Sequence, residues 1–354
     1  MKYMHPRPSS IVAALYTARD LEVDVAILHG PSGCSFKHAR LLEEDGMRVL
    51  TTSLADNEFI FGGQKPLEDV LRYAEERFSP RRMAVIGTCV AMIIGEDLVS
   101  AVDSAGIKTP TIAVDIHAGY PENIAGVLAT LEAARAAGWI SGEELARQHV
   151  MMEKANEVER LRGAASAAYI EPSRGDLKHL AAERLLEFAD SGKRGIAIMN
   201  AKKETAYMFA DELIALHDAC PAADIVYIAN LADRGLPKVR ADAKRIADEM
   251  AARGVPFEII GALDEYGANG EDIGRRIREL APAFALICGV PHAIPPEFTK
   301  GVLCFSVTNG PRQVEPLRSI GHRYVLVEID LHPKTMGVQR IVESEFGAVI
   351  RSLA

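Results

Sequence analysis

Two cysteines follow directly after apolar runs that have the composition of buried strands. Cys34 lies in HGPSGCSFKHAR behind VDVAILHG, and Cys89 lies in MAVIGTCVAMIIGEDL. A thiol between a glycine turn and a helix start is expected to ionise more easily, because helix N-termini favour negative charge. Thiolates are soft ligands that suit zinc or an iron–sulfur cluster. The pair predicts a metal site at the carboxyl ends of two strands, where open α/β sheets bind ligands.

Each cysteine taken alone also has a simpler interpretation. A cysteine after an apolar strand commonly serves as a small buried hydrophobic residue. Two thiolates also fall short of the four ligands that a [4Fe–4S] cluster normally takes. A twofold homodimer would present the same pair twice, so that Cys34 and Cys89 of both subunits supply four sulfurs across the interface.

Composition and charge exclude several other classes of function. The net charge of −9 disfavours nucleic acid as a partner, since nucleic-acid binding needs a basic face. No stretch has the roughly 20 apolar residues that span a bilayer, and MKYMHPRPSS has no signal core, so we expect a cytoplasmic protein without membrane contact. Five scattered cysteines predict reduced thiols or ligands rather than a disulfide framework. HGPSGCSFK lacks the spacing of a P-loop, so ATP is not expected on this chain.

Apolar β-rich runs alternate with helical patterns from end to end. In PLEDVLRYAEERF, Leu67, Val70, Leu71, Ala74 and Phe78 fall on one helical face. This alternation predicts an α/β protein with two to three doubly wound, Rossmann-like parallel-sheet domains. The expected strands are VDVAILH, RVLTTSL, MAVIGT, TIAVDI, GIAIMN, DIVYIAN, FEIIGA, FALICGV, GVLCFSV and YVLVEID.

A long polar helical stretch interrupts this rhythm. SGEELARQHVMMEKANEVERLRGAASAAYI is followed by the turn signal EPSRGD. We therefore expect an N-terminal α/β domain with the cluster cysteines at 1–140, a helical connector at 141–190, and a C-terminal α/β region at 191–354. That last region could hold two small Rossmann-like domains.

Three ordered motifs resemble the nitrogenase component 1 family. HGPSGC at 29–34 is similar to that family's HGPxGC cluster-ligand turn, and Cys89 with IIGEDL is similar to its Cys-x-x-x-x-IGDD stretch. Between them, DNEFIFGGQKPLEDVL at 56–71 resembles the family's ExxxVFGGxxxL segment. The resemblance implies that Cys34 and Cys89 are ligands of a [4Fe–4S] cluster held by a homodimer, and it implies the nitrogenase component 1-like fold.

The departures from the family pattern narrow the expected role. MKYMHPRPSSIVAALYTARDL contains no cysteine before the HGPSGC turn, so the larger nitrogenase clusters are not expected. The short chain resembles a compact homodimeric member that reduces a nickel tetrapyrrole, with closure of a lactam ring, for the nickel coenzyme of methanogenesis. The resemblance implies a separate nitrogenase iron protein-like reductase that binds ATP and Mg and delivers electrons. The alternatives are a cofactor-assembly scaffold, another nitrogenase-like tetrapyrrole reductase, or a metal-free binding protein.

Such a substrate carries several carboxylates and its reduction needs protons. Arginine pairs bidentately with carboxylates, and basic side chains near the motifs are candidates for contacting the substrate; these are Arg7, Lys37 and Lys65, with Arg40 nearby. Histidines are the candidate proton donors; these are His5, His38 and His117. Each of these side chains could equally be a solvated charge or a structural histidine. Cys220, Cys288 and Cys304 are expected to be buried thiols without a ligand role.

Overall fold

The computed structural model describes residues 8–163, 165, 169–328 and 332–354. These residues form two compact units. The N-terminal unit comprises residues 8–150 together with Leu236–Lys238, and the C-terminal unit comprises Met151–Gly235 and Val239–Ala354. The division falls inside a 20-residue helix, Gly142–Leu161. The three-part organisation inferred from the sequence, with a separate connector at 141–190, stays a prediction.

The N-terminal unit is built on a four-stranded parallel sheet in the order β2-β1-β3-β4. The central strands β1 and β3 are buried along their whole length, which explains their continuous apolar sequence. The elements are α1 (Ser10–Asp20), β1 (Val25–His29), α2 (Phe36–Glu44), β2 (Arg48–Thr51), α3 (Asp56–Phe61), α4 (Gln64–Phe78), β3 (Met83–Gly87), α5 (Cys89–Ile94), α6 (Leu98–Ala105), β4 (Thr111–Val114), α7 (Ile124–Ala136) and α8 (Gly142–Leu161).

Both faces of this sheet are covered by helices. Helices α4 and α6 pack against one face, where Leu67, Leu71 and Ala74 meet Val25 and Val85. The predicted helical face of α4 is confirmed, although its outer members are only partly buried. Helix α1 contacts β3 and α7 contacts β4. Burying each large aliphatic side chain contributes about 1.5–3 kcal/mol, so the sheet and its helices form a stable platform for the loops at its edge.

The C-terminal unit contains a six-stranded parallel sheet in the order β10-β9-β8-β5-β6-β7. Strands β5 and β8 lie at its centre and are fully buried. The elements are α9 (Lys178–Asp190), β5 (Gly195–Asn200), α10 (Ala206–Ala219), β6 (Ile225–Ala229), α11 (Pro237–Ala252), β7 (Phe257–Ile259), α12 (Gly270–Leu280), β8 (Phe284–Gly289), a 3₁₀ turn (Pro291–Ala293), α13 (Pro296–Thr299), β9 (Leu303–Thr308), α14 (Val314–Ser319), β10 (Tyr324–Val327), α15 (His332–Thr335) and α16 (Glu345–Leu353).

A partly buried ion pair lies at the carboxyl edge of this second sheet. Lys202, two residues after β5, places its Nζ 2.6 Å from Oε1 of Glu159 on α8. His292, in the 3₁₀ turn after β8, is fully buried, and its Nε2 lies 3.5 Å from Oε2 of Glu159. Neither ring nitrogen of His292 has a hydrogen-bond partner among the described residues. Lys202 and His292 hold the pKa of Glu159 below its usual range, although burial alone would raise it.

The predicted fold class is confirmed by these two sheets. All ten expected strands are present, and every strand pairing within the two described sheets is parallel. Several of the apolar runs extend beyond the hydrogen-bonded strands. TIAVDI, for example, forms a strand only over Thr111–Val114. In the described residues, no helix combines the length and the apolar character that crossing a bilayer requires.

Candidate metal centre

The turns that carry the two cysteines lie side by side at one edge of the N-terminal sheet. β1 and β3 are neighbours, and their last residues, His29 and Gly87, face each other in the register. The chain visits β2 on one side of β1 and then returns to β3 on the other, so the two strands flank the topological switch point of the sheet. Ligands of open α/β sheets bind at this position.

Close contact between the two turns explains a glycine. A Cβ atom on Gly30 would lie 2.3 Å from Oγ1 of Thr88, which no side chain tolerates. The Thr88 hydroxyl donates a hydrogen bond of 2.9 Å to the carbonyl of His29. The first residue after β3 is therefore bonded to the last residue of β1, and the two cysteine turns are held close together.

Cys34 and Cys89 are both half-buried, unoxidised thiols. Cys89 is the first residue of α5, and Cys34 lies two residues before α2. Burial raises the pKa of the Cys34 thiol, a hydrogen bond with Ser35 lowers it, and the charge of Cys89 raises it again. The two sulfurs therefore lie within electrostatic reach of each other. The expectation of a more acidic thiol is wrong for Cys34, because the effect of burial on its pKa outweighs that of the hydrogen bond with Ser35.

The three family-like motifs meet in one contact network. His29 opens the first motif, Gly63 belongs to the FGG segment, and Glu96 belongs to the stretch that follows Cys89. Glu96 accepts a hydrogen bond of 2.5 Å from the backbone N–H of Gly63 at Oε1, and its Oε2 lies 3.5 Å from Nε2 of His29. A Cβ on Gly63 would lie 3.0 Å from the His29 ring, so the tight approach favours glycine. One carboxylate thus links segments from all three motifs.

His29 is a buried structural histidine in this network. Its Nδ1 lies 3.1 Å from Oγ1 of Thr52, which also accepts a hydrogen bond from the N–H of Gly30. Burial lowers the pKa of His29 and outweighs the opposing effect of Glu96. A neutral imidazole is therefore expected at pH 7. In this form His29 can share a hydrogen bond with Thr52 without placing a charge in the buried network.

A third loop, Asp115–Tyr120 after β4, reaches the Cys89 sulfur. The backbone N–H of Ala118 lies 3.2 Å from Cys89 Sγ. His117, one of the predicted proton donors, precedes Ala118, and its ring stacks on Tyr120 with the centroids 4.3 Å apart. Of the predicted histidines, His117 is thus next in sequence to a residue that contacts a predicted metal ligand.

The donor set fits half of an iron–sulfur site. Cys34 and Cys89 offer two soft sulfur ligands of the kind that clusters take. In the described part of the chain, no group of three or more His, Cys, Asp or Glu side chains could hold a metal ion. One chain therefore offers two cysteine sulfurs, whereas a [4Fe–4S] cluster normally takes four ligands, and both cysteines lie on turns that directly follow strands of the sheet.

The other predicted site residues lie at varying positions around this centre. Lys65 is exposed on α4 and pairs with Asp69. Lys37 is exposed on the first turn of α2. Arg40, further along the same helix, is also exposed and pairs with Glu43. His38 is half-buried, with Nδ1 3.4 Å from the hydroxyl of Tyr16. His5 and Arg7 lie outside the described residues. The roles of all these side chains stay predictions.

The remaining cysteines are buried. Cys220, Cys288 and Cys304 have side chains that are at most 7% exposed. Burial raises the pKa of the Cys304 thiol to about 12, and burial next to Glu212 raises the pKa of Cys288 well above its usual range. Such thiols stay protonated and lack the accessibility that a ligand needs.

Sequence reasoning missed His29, Thr52, Glu96 and Ala118. His29 and Glu96 lie inside the motifs that resemble the family, and their place in those motifs is the sequence signal that could have identified them. Thr52 lies in an otherwise ordinary strand end, and Ala118 acts through its backbone. Neither residue type carries a chemical signal of its own.

Comparison with known proteins identifies a matching family. The family model of the nitrogenase component 1 type oxidoreductases matches residues 9–146, the part of the chain that contains both cysteines. This confirms the resemblance that the three motifs indicated.

Three curated proteins match nearly the whole chain. All are described as the Ni-sirohydrochlorin a,c-diamide reductive cyclase complex, component CfbD. The protein of Methanosarcina acetivorans is 54% identical over 99% of this chain and 97% of its own length. Those of Methanothermobacter thermautotrophicus and Methanocaldococcus jannaschii are 48% and 40% identical, each over 98% of both chains. The chain therefore belongs to the CfbD family of reductive cyclase components, which is of the nitrogenase component 1 type.

Proposed function

We propose that this chain is the catalytic component of a reductive cyclase complex that acts on Ni-sirohydrochlorin a,c-diamide. The reaction would reduce this nickel tetrapyrrole and close a lactam ring on the way to the nickel coenzyme of methanogenesis. The observation that carries the proposal is the meeting of Cys34 and Cys89 at the switch point of the N-terminal sheet. The full-length similarity to proteins that carry the cyclase name supports the choice of substrate.

A homodimer would complete the metal centre. Cys34 and Cys89 of each subunit would hold one [4Fe–4S] cluster between two identical chains, because a twofold axis presents the same pair twice. When bound, the cluster supplies single electrons of low potential to the substrate ring. The contacts of His29 and Glu96 would keep the two sulfur-bearing loops rigid, so that two chains present four sulfurs in a fixed geometry.

An exposed apolar surface next to the cysteines supports the homodimer. Helix α3 has no buried residue, and its Ile60 and Phe61 are 74% and 84% exposed. Ile93 on α5, the helix that begins at Cys89, is 70% exposed. Glu96 and Gly63 connect the ends of these two helices. Apolar surface concentrated around an incomplete ligand set is what a cluster-bridged interface between two copies requires.

Electrons would come from a separate iron protein that hydrolyses ATP with Mg. The absence of a P-loop from the sequence supports placing ATP on that partner. The substrate's carboxylates would contact basic residues near the motifs, of which Lys37 and Lys65 are exposed on α2 and α4. Of the two described candidates for proton delivery, His38 and His117, the latter precedes the residue that contacts the Cys89 sulfur. Its Nδ1 accepts the N–H of Gly119, so a neutral ring would carry its proton on Nε2.

The test of the proposed function is turnover under anaerobic conditions. Purified chain, a nitrogenase-type iron protein, ATP, Mg²⁺ and Ni-sirohydrochlorin a,c-diamide should give a ring-reduced, lactam-closed product, detected by absorption spectroscopy and mass spectrometry. Omitting ATP should abolish product formation. Release of unreduced tetrapyrrole together with transfer of the cluster to another protein would instead support an assembly scaffold. Absence of iron and sulfide in the anaerobic protein would identify a metal-free binding protein.

Introducing a charge at the apolar surface is expected to separate the dimer. Ile93→Asp and Phe61→Asp each place a carboxylate where the partner copy would bury a large apolar side chain, which costs several kcal/mol per interface. Both side chains are exposed within one chain, so folding of the monomer should be unaffected. Sedimentation or light scattering should report a monomer, and the iron content should fall with the dimer.

The matched control is Ile259→Asp. Ile259 is 52% exposed on β7 of the C-terminal unit, so the same charge is added to an apolar surface site in the other unit. This variant should remain dimeric and keep its iron. A dimeric Ile93→Asp protein with full iron would exclude the α3 and α5 surface as the interface.

A further inference from the structure

We propose that the loop Asp115–Tyr120 is a third structural element of the metal centre and raises the reduction potential of the cluster. The loop would act through the backbone N–H of Ala118, which donates a hydrogen bond to the sulfur of Cys89. Ser10 and His117 would be positioning residues that hold this N–H in place. The inference rests on the proposed cluster between Cys34 and Cys89.

The sulfurs of Cys34 and Cys89 have different hydrogen-bonding contacts. Ala118 N lies 3.2 Å from Cys89 Sγ, a short distance for an N–H···S hydrogen bond. Cys34 Sγ lies 3.9 Å from the hydroxyl of Ser35, in a contact where either atom can be the donor. A backbone N–H can only donate, and its direction is set by the loop. Cys89 therefore has a dedicated donor, and Cys34 has a weak and ambiguous one.

Three contacts hold the loop in the conformation that aims Ala118 at the sulfur. The buried hydroxyl of Ser10, at the start of α1, donates to the carbonyl oxygen of His117, the residue before Ala118. The N–H of Gly119, the residue after it, donates to His117 Nδ1 at 3.0 Å. The His117 ring stacks on Tyr120. The peptide groups on both sides of Ala118 are thus fixed by the side chains of Ser10 and His117.

The physical effect follows from charge. A hydrogen bond to a ligating thiolate withdraws electron density from the sulfur and stabilises the more negative, reduced form of the cluster. In a homodimer the bond occurs twice, once for each Cys89. The N–H of Ala118 would thereby set the potential at which the centre accepts an electron, without itself gaining or losing electrons or protons.

Ala118→Pro removes the N–H while it leaves both cysteines in place. The midpoint potential of the cluster in the anaerobically loaded homodimer should become more negative, as measured by a redox titration followed by electron paramagnetic resonance. Ala118→Gly keeps the N–H and is the matched control, so its potential should equal that of the unsubstituted protein. After exchange into D₂O, the magnetic coupling of a deuteron near the cluster should be weaker in Ala118→Pro than in Ala118→Gly.

A second pair of variants tests the same idea without proline. His117→Ala removes the acceptor for Gly119 N–H, whereas His117→Asn restores an acceptor at the same distance along the side chain. The potential should fall in His117→Ala and recover in His117→Asn. A merely structural role would change the iron content of His117→Ala but not produce this recovery of potential.

The outcomes separate this inference from the function on which it rests. An unsubstituted protein that binds no cluster would overturn both. If Ala118→Pro binds the cluster and its potential equals that of the unsubstituted protein, the role of the loop is overturned and the proposed function stays intact. If Ala118→Pro fails to bind the cluster, an unchanged potential in His117→Ala has the same meaning. A more negative potential in Ala118→Gly would also contradict the role of the N–H.

Discussion

Cys34→Ser and Cys89→Ser are each expected to abolish cluster binding while the chain still folds. A serine oxygen is a harder donor than a thiolate, and its hydroxyl loses a proton far less easily than a thiol, so serine is a poor ligand for the cluster. Each substitution also removes two of the four cysteine sulfurs in a homodimer. Neither thiol belongs to the fully buried core, so the two sheets should be unaffected. Iron and acid-labile sulfide per dimer and the visible absorption should fall to background, with an unchanged circular dichroism spectrum.

Cys220→Ser is the matched control. Cys220 is the C-terminal cap of α10 and is also a free thiol, but it belongs to the C-terminal unit. Its iron content should equal that of the unsubstituted protein. Full iron in either Cys34→Ser or Cys89→Ser would show that the residue is not a ligand, and the proposed four-sulfur centre would have to be abandoned.

Much of the fold could be predicted from the sequence because burial on both faces leaves a direct mark on composition. GIAIMN and FALICGV are continuous apolar runs, and they form the two central strands of the second sheet. The alternation with helices was enough to predict parallel strands, since parallel neighbours need a crossover connection. The order of the strands was not predicted, because it depends on contacts between segments far apart in the chain.

The candidate site was predictable only where a residue type carries its own chemistry. Cys34 and Cys89 are such residues, and the sheet places both at the switch point. Glu96 was quoted within a motif, yet its link to Gly63 and His29 depends on three loops meeting in space. The N–H of Ala118 carries no sequence signal, because every residue except proline has one.

Lys202→Met is the second substitution with a large expected effect, and it acts on stability. Lys202 pairs with Glu159 at 2.6 Å, and removing it leaves a largely buried carboxylate without its lysine partner. Breaking a buried ion pair from one side costs about 3–5 kcal/mol. The Lys202 side chain is 29% exposed and therefore partly solvated, so we expect the lower end of that range.

The loss should depend on pH in a defined direction. In the unsubstituted protein the pKa of Glu159 lies below its usual range, so the pair stabilises the fold above about pH 4.3 and this contribution is lost as the pH falls further. Without Lys202, burial would instead raise the pKa of Glu159. The variant would then be most destabilised at neutral pH, and its deficit relative to the unsubstituted protein would shrink near pH 4, where Glu159 of the variant becomes protonated.

Urea denaturation followed by circular dichroism at pH 7.5 and pH 4.5 measures this difference. Lys202→Met/Glu159→Gln should recover part of the stability that Lys202→Met loses at pH 7.5, because the double variant no longer buries an unpaired charge. Lys244→Met is the control, since Lys244 pairs with Asp248 at the surface with its side chain 73% exposed, and its transition should not move. Equal losses for Lys202→Met at the two pH values would contradict the assignment of the effect to an ionised Glu159.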